Sequence, residues 1–190
     1  MEERQKGVPN PQQAVLSTAT INAIPHARVV SIREISDFGL IFFTQKETRK
    51  VSELHENPFA TLTFWFEYFE RQVIVEGKTQ SLSDSEIKDC WHANSREAQI
   101  RFYSYSPNSS KFITNKQEIE GRKKKVEDMY EGLSIPLSPL YCGFRLMPDR
   151  ILFYDCSSDN LSEVFDYQRI NEKWQKQLLA PYATRRMVDK

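Results

Sequence analysis

"ARVVSIREISDFGLIFFTQKETRKVSELHENPFATLTFWFEYFERQVIVEG", from Ala27 to Gly77, strings together two strands, a short helix and two longer strands. Its first part is strand chemistry. "HARVVSIREI" (His26 to Ile35) and "GLIFFT" (Gly39 to Thr44) are rich in β-branched and aromatic residues, and "SDFG" supplies a turn between them. A short helix is expected from Arg49 to His55, stopped by Asn57-Pro58. Two long strands follow, "FATLTFWFEYF" (Phe59 to Phe69) and "RQVIVEGKTQSL" (Arg71 to Leu82). Upstream, "AVLSTATI" (Ala14 to Ile21) adds another strand, set off by "NAIP". Downstream, "SDSEIKDCWHA" opens with a capping serine or aspartate and an acidic first turn, which suits a helix.

"KQEIEGRKKKVEDMYEG" (Lys116 to Gly132) is a further helical region. Its Arg122-Lys123-Lys124-Lys125 run sits among Glu118, Glu120, Glu127 and Asp128, the mixed charge of a solvated face. The last part returns to strands in "YCGFRLMPDRILFYD" (Tyr141 to Asp155), "FDYQR" and "WQKQLLAP". Five or six strands around a few short helices point to a mainly β, α+β protein: a small β-barrel with helical additions. Strands and helices do not alternate, which argues against a doubly wound parallel sheet.

The bulk numbers set the class. A chain of 190 residues supports one domain with a real core, spanning 1–190. With 39% apolar and 12% aromatic residues it is a folding sequence. The 26 basic residues balance 26 acidic ones, so the basic excess of a nucleic-acid binder is missing. "MEERQKGVPNPQQ" has no apolar segment of a secretory signal, and no stretch reaches the roughly 18 apolar residues that cross a membrane. Cys90, Cys142 and Cys156 are odd in number and widely spaced, which reads as free thiols in a cytoplasmic setting.

Familiar catalytic patterns are absent: no Walker A loop, no GxGxxG after a strand, no HExxH and no GxSxG. His26, His55 and His92 lack metal-ligand spacing, and no metal is expected. One segment is physically odd. In "FFTQKETRKVSEL" (Phe42 to Leu54), Thr48 can cap a helix whose first residues are Arg49 and Lys50. Cations in a first turn oppose the helix macrodipole. Two readings are open: the pair grips a phosphate together with free backbone N–H groups, or both side chains splay into water.

The same residues resemble the core of the pyridoxine 5′-phosphate oxidase family, flavin-mononucleotide (FMN) enzymes of the split-barrel fold. The family pattern is an Arg-x-Val-x-x-Lys strand, Phe/Tyr-x-Thr-Asn/Gln, Ser-Arg-Lys, Glu-Leu-x-x-Asn-Pro, an aromatic strand and Glu-Arg-Gln-Val-x-x-x-Gly. The likeness continues through "SPNSSKFI", "CGFRLMPDRILFY" and "DYQR" to "LLAP", about residues 7 to 181. It implies that Arg28, Val29, Val30, Ser31, Ile32 and Arg33 form the strand against the isoalloxazine and ribityl chain, Arg33 standing where lysine is usual. It places Phe43 and Thr44 at the next contact and Arg49 and Lys50 at the FMN phosphate. Gln72 matches a flavin-contacting glutamine, Asn108 and Ser109 a Gln-Ser pair, and Tyr154 a tryptophan. A homodimer with FMN at its interface is also implied.

The departures concern the substrate. Where the family holds the pyridoxine phosphate with Tyr, Arg and Ser, this chain has Cys90, Asn94 and Ala98, with Arg96 and Arg101 near enough to compensate in part. An Arg-Leu-His triplet is replaced by Asn160-Leu161-Ser162, and a flavin-contacting arginine by Val164. Six residues precede "GVPNP", where the family has a helix and lid residues. The resemblance therefore implies an FMN-dependent oxidase acting on a small aromatic biosynthetic intermediate, not necessarily charged, with oxygen as acceptor. The turn "REISDFGLIFFT" is similar to the phenazine-biosynthesis branch. Alternatives are a true pyridoxine/pyridoxamine phosphate oxidase with a rebuilt pocket, a flavin-binding protein without turnover, and a fold that has lost its flavin.

Overall fold

The computed structural model describes residues 12–106, 109, 111–155 and 162–180. Strands β1 (Gln13–Ala19), β2 (Pro25–Ser36) and β3 (Gly39–Gln45) lead into helix α1 (Arg49–Glu56). Strands β4 (Phe59–Phe66) and β5 (Arg71–Ser81) precede three helices, α2 (Asp84–Ala93), α3 (Arg96–Tyr105) and α4 (Lys116–Met129). Strands β6 (Tyr141–Asp155), β7 (Glu163–Ile170) and β8 (Lys173–Leu179) complete the described chain.

All pairings are antiparallel, in the order β3-β2-β1-β4-β5-β6-β7-β8, and a further β3–β6 pairing closes the first six strands into a barrel. Strand β6 makes both closure and extension possible. Its residues 141–146 pair with β3 on one edge, and its residues 150–155 pair on that edge with β7. Pro148 falls between these two halves, where its missing N–H costs no ladder bond on that edge. Opposite it stands Gly77, beside a register shift in β5. A Cβ on Gly77 would lie 2.0 Å from the Met147 carbonyl oxygen, so only glycine permits this approach.

Alternation along the strands fills the barrel. Ala14, Leu16 and Thr18 of β1, and Ala60, Leu62 and Phe64 of β4, turn inward and are buried. Leu16, Ile32, Phe42, Leu62 and Leu146 form the driest part of the core. A second apolar cluster, Trp91, Ile100, Ile135 and Tyr141, packs α2 and α3 against the barrel. The Trp91 indole N–H donates to the Ile135 carbonyl at 3.1 Å, which satisfies its one polar group. Helix α4 has no buried residue and carries Lys116–Glu120, Arg122–Glu118 and Lys123–Glu127 pairs. The basic run is a solvated face.

Two element boundaries and one helix differ from the sequence reading. The strand expected to Phe69 stops at Phe66, and a 3-10 turn (Glu67–Phe69) with Glu70 at φ 48° makes the corner without glycine or proline. The strand expected to Ile21 stops at Ala19, before a turn at Thr20 to Ile24. Helix α3 has no clear sequence signal, because "RFYSY" is rich in strand-forming aromatics. Its start is nonetheless capped, the Ser95 hydroxyl accepting from the Ala98 N–H. Eight strands are present among the described residues, one for each strand-like segment of the sequence; six form the barrel, and β7 and β8 extend the sheet beyond it. Among the described residues no helix is long and apolar enough to cross a membrane.

Candidate functional site

A cavity of about 320 Å³ opens between β2, the end of β3, the start of α1 and helices α2 and α3. Four cations line it, Arg28, Arg33, Lys50 and Arg101, and among the described residues no Asp or Glu does. Strand geometry explains which part of β2 faces it. Val30 and Ile32 turn into the barrel, while Val29, Ser31 and Arg33 stay on the outer surface, with a bulge between Ile32 and Glu34. The bulge interrupts the pairing at Arg33.

Lys50 sits half-buried at the end of the cavity formed by α1. Its Nζ donates to the Thr44 hydroxyl at 3.1 Å and reaches the Thr48 hydroxyl at 3.5 Å. Burial first, and then the Arg28 charge, hold its pKa below the ordinary lysine value. No carboxylate forms an ion pair with Lys50 among the described residues. Thr48 precedes the helix in extended conformation, but its hydroxyl donates to the Gln45 carbonyl at 2.9 Å and does not cap the first turn. The first turn has no acidic residue. A half-buried ammonium, first-turn N–H groups without a side-chain cap and, among the described residues, a wall without acids together suit a phosphate.

Arg28 is anchored from behind. It donates to the Thr18 hydroxyl at 2.5 Å and to Glu53 of α1 at 3.3 Å. Glu53 is only 2% exposed; it also accepts from Thr18 and faces His26 Nδ1 at 2.6 Å. Burial works to raise the Glu53 pKa, but the Thr18 hydrogen bond and the His26 and Arg28 charges outweigh it and lower it. The carboxylate thus fixes Arg28 without facing the cavity.

Aromatic side chains form the opposite wall. Phe43 stacks on Tyr141 with ring centroids 5.0 Å apart and planes 2° from parallel. Gly143, across the ladder from Phe43, gives that ring its space: a Cβ there would lie 2.7 Å from it. From α3, Ala98, Arg101, Phe102 and Tyr105 all face the cavity, the i, i+3, i+4, i+7 stripe of one helix face. Gln45 donates to the Ser106 hydroxyl at 2.5 Å and ties the end of β3 to the end of α3.

The cavity therefore gathers Arg28, Val29, Val30, Ser31, Arg33, Phe43, Thr44, Lys50, Asn94, Ala98 and Ser109 from the residues that the sequence singled out. Others lie elsewhere. Ile32 is a core side chain at 1% exposed, Arg49 points to solvent, and Cys90 is half-buried and does not line the cavity. Gln72 and Tyr154, partners across the β5–β6 ladder, line a separate cavity of about 800 Å³ with Phe66, Phe69 and Phe165. Ser162 is half-buried and lines neither cavity, and Val164 is buried, paired with Tyr154. Asn108 and Asn160 lie outside the described residues.

Gln45, Trp91, Phe102, Tyr105 and Tyr141 line the Lys50 cavity without having been singled out. The only sequence signal for the α3 aromatics is their helical spacing, which a strand-like composition hides.

Comparison with known proteins gives a consistent set. The family model described as pyridoxamine 5′-phosphate oxidase matches residues 1–130. A pyridoxine/pyridoxamine 5′-phosphate oxidase of Trichormus variabilis (strain ATCC 29413 / PCC 7937) is 32% identical, over 92% of this chain and 81% of its own length. The enzyme of the same description from Myxococcus xanthus (strain DK1622) is 31% identical, over 90% and 82%. Among solved structures, PhzG from Burkholderia lata 383, in complex with tetrahydrophenazine-1-carboxylic acid, has a TM-score of 0.83 at 25% identity, covering 95% of this chain and 87% of that one. A pyridoxamine 5′-phosphate oxidase-related, FMN-binding protein from Nostoc punctiforme PCC 73102 shares the fold, with a TM-score of 0.76 at 17% identity over 95% and 93% of the two chains.

Proposed function

The chain belongs to the pyridoxamine 5′-phosphate oxidase family, and on that premise we propose that it is an FMN-dependent oxidase acting on a small aromatic biosynthetic intermediate. The observation that carries the reading is Lys50, a desolvated ammonium held by hydroxyls alone at the start of a helix, in a cavity without acids. An FMN phosphate would supply the missing counter-charge, and Arg49, its neighbour in the first helical turn, would add a second cation. The outer face of β2 from Arg28 to Arg33, with Phe43 and Thr44, would carry the ribityl chain and ring, and Ser109 and Asn108 a further edge.

Bound FMN would supply two-electron acceptor chemistry, with oxygen as the final acceptor. The protein's part is orientation and exclusion of water. Glu53 fixes Arg28, the Phe43–Tyr141 stack closes one wall, and the α3 face bounds the space left for substrate. No side chain here is assigned the role of a base.

The remaining expected flavin contacts, Gln72 and Tyr154, lie in the second cavity. A two-fold homodimer that sets this cavity of one protomer against the Lys50 cavity of its partner would reunite them. Val15 and Val29, opposite each other across β1 and β2, are exposed on the outer face that such a dimer would cover. The free thiols Cys90 and Cys142 suit a cytoplasmic setting.

A second reading is a pyridoxine/pyridoxamine 5′-phosphate oxidase proper, favoured by the named relatives at 31–32% identity. The absence of the family's phosphate ligands at Cys90, Asn94 and Ala98 weighs against it. The test begins with the absorbance spectrum of the purified chain reconstituted with FMN, where a stable two-band flavin spectrum is expected. A chain that stays colourless after reconstitution sinks both readings. Anaerobic reduction with candidate substrates follows; peroxide formed from pyridoxine 5′-phosphate at rates matching the relatives would favour the second reading. A flavin that no substrate and no NAD(P)H bleaches would point to a binding protein without turnover.

A further inference from the structure

Resting on the flavin reading, we propose that the phenol of Tyr141 is a specificity-determining hydrogen-bond donor of the Lys50 cavity. It recognises an uncharged acceptor on the substrate's aromatic frame, a carbonyl oxygen or a ring nitrogen. Tyr141 opens β6 opposite Gln45 of β3 and is only 6% exposed, yet it lines the cavity. Its hydroxyl accepts from the Asn94 amide at 3.1 Å. A phenol has one proton to give as well as lone pairs to receive, and the Asn94 bond uses only the latter. That proton meets no acceptor among the described residues and is left to the cavity.

Three rings fix where the hydroxyl stands. Phe43 stacks parallel to the Tyr141 ring, and Trp91 and Phe102 meet it nearly edge-on, with centroids 5.0 and 5.1 Å away. A donor held in place before a ligand arrives lowers the ordering cost of binding. Other polar groups of this cluster are already committed. The Trp91 N–H donates to the Ile135 carbonyl and the Tyr103 hydroxyl to the Pro136 carbonyl, both at 3.1 Å. Asn94 stands in place of the family's arginine, and here its amide serves the phenol. Burial first raises the phenol's pKa above its ordinary value, which keeps the proton on and the group neutral. The Arg33 charge is felt there too, but it ranks behind burial and the Asn94 bond. Aromatic surroundings would strip water from a charged group, whereas a carbonyl or ring nitrogen is satisfied by the one hydrogen bond on offer.

The test uses the full chain loaded with FMN, its flavin content read first by absorbance. Quinoline and 1-indanone are the acceptor probes, and naphthalene and indane are their counterparts without an acceptor. Equilibrium dialysis compares each probe on the parent and on two variants, so that differences in hydrophobicity between probes cancel. Tyr141→Phe keeps the ring and its stack and removes only the hydroxyl. It should weaken at least one acceptor probe about three- to tenfold, with both hydrocarbons and FMN within about twofold of the parent. Which acceptor suffers tells a ring nitrogen from a carbonyl. Asn94→Asp replaces the amide donor with an acceptor that takes the phenol's proton, and should weaken the same probe although Tyr141 is intact.

Equal losses for acceptor and hydrocarbon, acceptor binding that survives either variant, or no saturable binding of either acceptor would overturn the proposal. So would a loss of FMN in Tyr141→Phe, because the phenol would then serve the flavin. A parent chain that fails to hold FMN refutes the underlying reading instead. The same dialysis on the flavin-free chain still decides the role of Tyr141.

Discussion

Lys50 lies in reach of two hydroxyls and of the Arg28 charge, an arrangement that costs stability unless an anion is present. Lys50→Gln should therefore weaken FMN binding about ten- to a hundredfold, measured by flavin fluorescence titration. The flavin-free variant should be no less stable than the parent. The sign with pH follows from the lowered pKa. Between the folded value and the ordinary 10.5 the unfolded chain binds more protons, so the flavin-free protein gains stability as pH rises through that window. Melting temperatures across it should show the rise in the parent and its loss in Lys50→Gln. Glu53 is the opposite case, a buried carboxylate whose partners hold it ionised. Glu53→Gln leaves Arg28 and His26 without their counter-charge and should cost about 2–3 kcal/mol in urea unfolding. The odd cations at Arg49 and Lys50 are legible in the sequence, because they contradict the helix dipole. Glu53 is not, since a glutamate on a short helix is ordinarily a surface residue and only the fold brings β1 and β2 beneath it.

Helix α2 shows what a local signal can carry. The Ser83 hydroxyl and Glu86 carboxylate form a capping box, with Ser83 N–H donating to Glu86 at 2.9 Å, and Arg145 of β6 donates to Glu86 at 2.6 Å. The Ser83 hydroxyl first, then its N–H, then Arg145 hold the Glu86 carboxyl down to about 2. A folded pKa below the ordinary value means that this stabilisation is present above about pH 4.5 and is lost as pH falls toward 2. Glu86→Gln should cost about 1 kcal/mol at pH 7, a modest figure because the carboxylate is 39% exposed. The variant should also melt with a flatter pH dependence from 4.5 to 2 than the parent. That cap is legible in the four letters "SDSE" alone. The following helix is not: Ser95 caps it, but Phe102, Tyr103 and Tyr105 favour strands in isolation, and burial against Trp91 and Tyr141 decides for the helix. The β3–β6 pairing is equally hidden, because Gln45 and Tyr141 meet across 95 intervening residues. What local chemistry specifies can be read along the chain. What long-range closure specifies cannot.

At the scale of the molecule, the expected flavin contacts fall into two groups that one chain keeps apart, Lys50 with β2 in one cavity and Gln72 with Tyr154 in another. Sequence order alone merges them into one set. On the homodimer reading, their placement on different faces of the barrel makes each protomer the holder of two half-sites. The homodimer reading then has a consequence that no monomeric site shares. Lys50→Gln damages one half and Tyr154→Ala the other, so each variant alone should bind FMN poorly. In a mixed dimer, one of the two sites collects both substitutions and the other collects neither. Random association at equal amounts makes about half of the dimers mixed, so about a quarter of all sites should regain parental affinity. Co-refolding the two weakly binding variants and titrating FMN measures this fraction directly. Recovery near one quarter is expected. No recovery, with mixed dimers verified by differently sized tags, would mean that Lys50 and Tyr154 act within one protomer or that Tyr154 does not touch the flavin.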